Sequence, residues 1–201
     1  MKVACALLAF SAFAHAQQAT FITLGPQLML TTDSVSAPSP VSPSLGIGRT
    51  FLLSENIALE AHSSFFTQYY LFDDEKAKPA EVENRTALVF CALPTLNPVW
   101  ICCKDEKQWL EIGGGLGILA RYGLKANGVK DEGDDVKEIN RYFWRDLNYF
   151  YPDIAFSYNR VLASVVLGAD FRVYIPVASL SSGKGFEEGI FSLSLKIGKQ
   201  K

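Results

Sequence analysis

Leu110-Glu111-Ile112-Gly113-Gly114-Gly115-Leu116-Gly117-Ile118-Leu119-Ala120-Arg121-Tyr122 alternates from end to end. Leu110, Ile112, Gly114, Leu116, Ile118, Ala120 and Tyr122 fall on one face of an extended chain. Glu111, Gly113, Gly115, Gly117, Leu119 and Arg121 fall on the other. Period two is the spacing of a strand, whose successive side chains point to opposite sides. One face is suited to an apolar surrounding, and the other carries glycine and charge.

The same alternation recurs on both sides of this stretch. Val161 to Tyr174 sets Val161, Ala163, Val165, Leu167, Ala169, Phe171 and Val173 against Leu162, Ser164, Val166, Gly168, Asp170, Arg172 and Tyr174. Ile57, Leu59, Ala61 and Phe65 oppose Glu60, His62, Ser64 and Gln68. Phe191, Leu193, Leu195 and Ile197 oppose Ser192, Ser194 and Lys196, while Ile22, Leu24, Leu28 and Leu30 oppose Thr23, Gly25, Gln27 and Thr31. Three further segments are less clean. Leu45 to Leu53 puts Arg49 among apolar residues unless Gly46 or Gly48 hosts a bulge. Residues 86–102 and 147–157 are apolar or aromatic on both faces and carry Pro94, Pro98 and Pro152. The sum is eight strands.

The connections alternate in length. Ser54-Glu55-Asn56, Lys104 to Lys107, and Tyr158-Asn159-Arg160 read as tight turns. Thr32 to Ser44, Asp73 to Asn84, Ala126 to Asp146 and Pro176 to Glu188 read as long polar loops. Eight antiparallel strands in that order put every long loop on one side, and both termini with the short turns on the other. Membrane barrels have this asymmetry. Aromatic residues gather near strand ends, with Phe51, Trp100, Trp109 and Tyr158 by the short turns and Tyr69, Tyr70, Phe72, Tyr122, Tyr142 and Trp144 by the long loops. Two belts are what amphipathic rings prefer at the two interfaces of a bilayer. The fold class predicted is all-β, an eight-stranded antiparallel up-and-down transmembrane β-barrel.

The first residues set the compartment. Met1-Lys2, an apolar run from Val3 to Phe13, and Ala14-His15-Ala16 form a secretory signal peptide over residues 1–16, which leaves 17–201 as one barrel domain. No later segment holds eighteen uninterrupted apolar residues, so spanning helices are not expected. A net charge of −2 offers no basic stripe to phosphates, which argues against nucleic acid as a partner. Cys91, Cys102 and Cys103 are an odd set and make no disulfide framework, and no nearby histidine completes a metal site.

Gly46-Ile47-Gly48-Arg49-Thr50-Phe51-Leu52-Leu53-Ser54-Glu55-Asn56-Ile57-Ala58-Leu59-Glu60 reads as a strand–turn–strand hairpin, and Ile112 to Gly117 as a glycine-rich strand after a short turn. In these stretches the chain resembles the small bacterial outer-membrane β-barrels, the OmpA/OmpX/OmpW-like superfamily. The resemblance implies an outer-membrane location with periplasmic termini, membrane lipids as surroundings and the outer-membrane assembly machinery as a partner. Such proteins often end on an aromatic residue, whereas this chain ends Leu195-Lys196-Ile197-Gly198-Lys199-Gln200-Lys201.

No motif points to catalysis or to a cofactor. Gly113 to Gly117 and Ser182-Gly183-Lys184-Gly185 fail the phosphate-loop spacings. Asp131-Glu132-Gly133-Asp134-Asp135 lacks the alternation of a calcium loop and reads as a solvated acidic run. Glu60, His62 and Ser64 share a strand face, but neighbours on that face stand about 7 Å apart, too far for a relay. An eight-stranded barrel is filled by its own side chains. Glu60, Glu111, Lys196, Arg121, Asp170 and Arg172 are therefore predicted to form a structural charge network in the lumen. Glu60, Glu111 and Lys196 are expected in a low layer, with Asp170, Arg172 and Arg121 in a second one nearer the long loops. The function expected is a monomeric, non-enzymatic membrane anchor whose loops meet host or environmental ligands. A narrow or laterally gated channel for small apolar solutes is the alternative, and a lipid-modifying barrel enzyme a remote one.

Overall fold

The structure is a computed structural model that describes residues 18–31, 41–73, 75–80, 85–126 and 132–200. The expected signal peptide and Asp131 lie outside them. Among the described residues ten strands form: β1 (Gln18–Met29), β2 (Val41–Leu52), β3 (Ile57–Asp73), β4 (Lys76–Ala80), β5 (Ala87–Cys102), β6 (Gln108–Gly117), β7 (Ala120–Ala126), β8 (Asp153–Leu162), β9 (Val165–Tyr174) and β10 (Ile190–Gln200). All pairings are antiparallel, and a pairing of β1 with β10 together with one of β3 with β5 closes the ring. Both β6 and β7 pair with β5, so they are two halves of one wall strand interrupted at Ile118 and Leu119. β4 folds back on the end of β3 and lies outside the ring. The result is a closed barrel of eight wall strands.

The inside-out distribution follows from the alternation. Leu24, Leu116 and Leu195 point outward and are 60%, 61% and 67% exposed, whereas Glu60, Asp170 and Arg172 are buried in the interior. Arg49 also faces outward, with no bulge, because β2 pairs continuously with both neighbours. Its guanidinium lies over Phe51, 5.3 Å from the ring centroid, beside the short turn.

Several expectations need correction. The third short turn is at Ala163-Ser164, where Ala163 has φ 56°, and not at 158–160, which pair with 167–169 inside the β8–β9 hairpin. The strand expected over 147–157 accordingly begins only at Asp153. The long connections are not uniformly loop. Residues 126–146 contain helix α1 (Glu132–Phe143), 73–84 contain β4, and 176–188 contain the short helix α2 (Val177–Ser181). Two aromatic belts are only partly formed: Trp100 and Tyr122 face out, while Tyr70 is fully buried inside and Trp109 points into the lumen toward Glu111.

Candidate functional site

Among the described residues the lumen holds most of the buried polar side chains, and strand register explains how they fit. Charged residues sit opposite small ones. Arg172 faces Ala155 and Ser192 across the ladder, Asp170 faces Ser157 and Ser194, and Lys196 faces Thr23 and Gly168. On β2 the two glycines serve the same end. A Cβ at Gly46 would overlap the His62 imidazole and the Thr23 hydroxyl, and one at Gly48 would overlap the Phe21 ring.

From the short-turn end upward, the lumen first opens as a cup lined by Phe21, Leu52, Ile101, Trp109, Val161 and Val166. Above it Lys196 Nζ donates to Glu111 Oε2 at 2.8 Å and to Glu60 Oε2 at 3.3 Å, and lies 4.3 Å from the Phe21 ring centroid. Trp109 Nε1 donates to the other oxygen of Glu111 at 2.7 Å. Glu60 also accepts from Arg172 Nη2 at 2.5 Å, and Arg172 Nε donates to Asp170 Oδ2 at 2.7 Å. The Ser157 hydroxyl donates to Asp170 Oδ1 at 2.5 Å, and Asn97 Nδ2 donates to Asp153 Oδ2 at 2.6 Å, with Arg172 Nη1 3.8 Å from that oxygen.

Five of the six residues expected in the lumen are therefore joined in one assembly. Glu60 bridges Lys196 to Arg172, so the two layers anticipated from residue heights are a single connected column. Arg121 stands apart. It is fully buried under the loops, donates to Glu188 Oε2 at 3.0 Å, to the Tyr70 hydroxyl at 3.2 Å and to the Asn148 carbonyl at 2.5 Å, and stacks 4.2 Å from the Phe143 ring centroid. His62 joins no relay. Its Nε2 faces the Thr23 hydroxyl at 3.1 Å, while Ser64 points to Gln27.

Sequence reasoning missed Asn97, Asp153 and Glu188, and it missed the roof. Ile139 and Phe143 of α1 are fully buried in an apolar cluster with Met29, Tyr70, Leu93, Leu119, Tyr151 and Ile190, which closes the long-loop end. Burial lifts the Tyr142 phenol, beside Glu188, above its ordinary range. A signal was present: Val136, Ile139 and Phe143 recur at helical spacing inside a stretch read as polar loop. Asp153, Ala155, Ser157 and Asn159 also alternate with Ile154, Phe156, Tyr158 and Arg160, but the misplaced turn cut that series. Among the described residues no cluster of three or more histidine, cysteine, aspartate or glutamate side chains has the geometry to hold a metal. The side chains of the acidic run 131–135 lie outside what the structure describes.

No protein-family model matches the chain, and no curated protein matches it. Among solved structures it is similar to the outer membrane protein OprG from Pseudomonas aeruginosa, with 9% identity over 93% of this chain and 98% of that one and a TM-score of 0.55. It is also similar to the Yersinia pestis outer membrane protein Ail in a phospholipid bilayer nanodisc, with 9% identity over 92% of this chain and 99% of that one and a TM-score of 0.51. The likeness is one of fold: the chain has the architecture of the small eight-stranded outer-membrane barrels.

Proposed function

We propose that this chain is an integral outer-membrane barrel with a closed lumen, acting as an anchor that presents a cap including α1, α2 and β4 at the cell surface. One observation carries the reading: the wall is inverted relative to a water-soluble protein, with large apolar side chains exposed around the outside and charged ones buried within. Monomeric soluble proteins rarely expose apolar patches of more than a few hundred Å², whereas a bilayer rewards them. The ion-paired column and the apolar roof together argue against free diffusion along the axis. The similarity to OprG and Ail supports the location.

The exposed Cys103 lies in a short turn and gives the test. A bulky maleimide polymer added to intact cells should leave Cys103 unmodified and modify a Ser182→Cys variant; lysis should then expose Cys103. The reverse labelling would refute the orientation. A second reading is favoured by one feature of the wall. β8 pairs with β6 only over Gln108 to Gly115, and beyond it β7 has no strand partner on that side among the described residues. α1 covers that edge, with Asn140 Oδ1 accepting from Gly123 N at 3.0 Å. This seam is where a laterally gated path for small apolar solutes would run. Solute flux into liposomes holding the protein, abolished by a disulfide across the seam, would favour it over the anchor.

A further inference from the structure

The outer wall changes character at its short-turn end. Along most of its height the outward residues are mainly apolar, but on three adjacent strands, β2, β1 and β10, one rung is polar. Thr20 of β1 pairs with Arg49 of β2 on one side and with Lys199 of β10 on the other. All three are exposed and continue the outward series of their strands. Arg49 and Lys199 are two strands apart, about 10 Å, with Thr20 between them. Long cationic side chains can close that gap on one bound group. The Phe51 ring, one rung nearer the turn, carries the Arg49 guanidinium at 5.3 Å.

Charge and shape on this face agree. Among the described residues of the outer wall nearer the short turns, the charged ones that the alternation turns outward are Arg49, Arg160 and Lys199, all cations. Neither Arg49 nor Lys199 has an acidic side chain within ion-pair distance among the described residues. Toward mid-wall, the next rung on the same three strands is Ile22, Ile47 and Ile197, and the one after is Leu24, Leu45 and Leu195. All six are exposed. Rungs on one face stand about 7 Å apart, so the polar rung opens onto an apolar track about 14 Å long. Paired cations at the end of an apolar track match the outline of a lipid, with its phosphate at the interface and its acyl chains along the wall.

We propose that Arg49, Thr20 and Lys199 form a headgroup site for an anionic phospholipid of the phosphatidylglycerol class, with its acyl chains on the isoleucine and leucine rungs. The inference rests on the reading of the wall as lipid-facing. An arginine can meet phosphate oxygens with two parallel N–H donors. The threonine hydroxyl can donate a further bond, and the lysine ammonium adds a point charge. Two cations without a carboxylate favour a headgroup that stays negative. The phosphate of a phosphatidylethanolamine is already neutralised by the ammonium of its own headgroup, and that ammonium would meet no anion on this rung. In the orientation proposed above, the site lies in the periplasmic leaflet.

The protein in detergent micelles is titrated with phosphatidylglycerol or with phosphatidylethanolamine of the same acyl chains, and bound lipid is counted by native mass spectrometry. One phosphatidylglycerol should bind each barrel saturably. A cation near an anionic membrane surface is worth about five-fold in affinity, so the two together should favour phosphatidylglycerol by about 25-fold. Arg49→Gln combined with Lys199→Gln should erase that preference, and Thr20→Val should weaken it. Arg160→Gln, which removes the third outward cation two strands from Lys199 on β8, should leave it unchanged. Equal retention of the two lipids by the native chain would overturn the proposal. So would equal losses in Arg160→Gln and the double variant, the mark of diffuse attraction only. Should the double variant lose its heat-shifted gel band, the native preference and Arg49→Gln alone decide. The same band, run on native protein in phosphatidylcholine vesicles, separates the two readings. Its absence would refute the membrane barrel, whereas a barrel that folds there yet shows no lipid preference would refute the headgroup site alone.

Discussion

Replacing Lys196 with methionine removes the cation at the centre of the lumen while keeping most of its volume. Lys196 is 4% exposed and bonds two carboxylates, Glu111 at 2.8 Å and Glu60 at 3.3 Å. The two are not left equally stranded. Glu60 keeps its bond from Arg172, whereas Glu111 keeps only the neutral Trp109 N–H. Breaking a buried ion pair from one side typically costs about 3–5 kcal/mol, because the remaining charge stays desolvated and uncompensated. With a urea slope of roughly 1–3 kcal/mol per M, a loss of about 3 kcal/mol lowers the unfolding midpoint by about 1 M or more. The asymmetry predicts which second change rescues. Glu111→Gln in the Lys196→Met background removes the stranded charge and should recover much of the loss. Glu60→Gln in the same background also strips Arg172 of a partner and should recover less. The assay is urea unfolding in lipid vesicles, followed by tryptophan emission and by the heat-shifted band on gels. A Lys196→Met protein that unfolds at the native midpoint would refute the reasoning, as would equal rescue by both glutamine changes.

Phe143→Ala should destabilise by about 3–5 kcal/mol, the usual loss for a buried phenylalanine, and should open α1 to protease added outside the cell while the wall strands stay protected. Leu116→Arg, at an outward position 61% exposed, should impair insertion by about 2–4 kcal/mol in an equilibrium folding assay; Leu119→Arg should fare no better, because Leu119 is buried in the apolar roof cluster. The amide of Lys107, and secondarily that of Gln108, hold the Asp105 carboxyl below the ordinary carboxylate range. A depressed carboxylate contributes order that is present above its unfolded pKa and lost as pH falls through its folded one. The Lys107 and Gln108 amide resonances should therefore move together at acid pH, below the usual aspartate range, and not at all in Asp105→Ala.

Period-two alternation made the wall legible because a barrel strand touches two unlike media, and each contributes to the pattern. It assigned Glu60, Glu111, Asp170, Arg172 and Lys196 to one face, and all five are buried in the structure. What it could not supply was which inward residues meet, because that depends on contacts across the lumen between strands as far apart in sequence as β3 and β10, as where Lys196 reaches Glu60. The height estimate divided the column at Glu60, the residue whose two oxygens join its halves. The turn at Ala163-Ser164 was missed for a chemical reason. It carries neither glycine nor proline nor asparagine, while Tyr158-Asn159-Arg160 displays the asparagine that usually marks a turn. That asparagine is instead an inward residue at the wall of the cup, fully buried with both amide atoms unused. The roof escaped for the opposite reason. A single amphipathic helix of 12 residues gains its stability from packing more than from propensity, and its surroundings in sequence are polar. Its apolar residues, Ile139 and Phe143, become significant only once the barrel mouth they close exists. Where the chain meets lipid on one side and its own charges on the other, sequence periodicity is therefore a faithful guide. At its two ends, where a roof and a cup close or line the mouths, packing between elements distant in sequence replaces that contrast of media, and the guide fails.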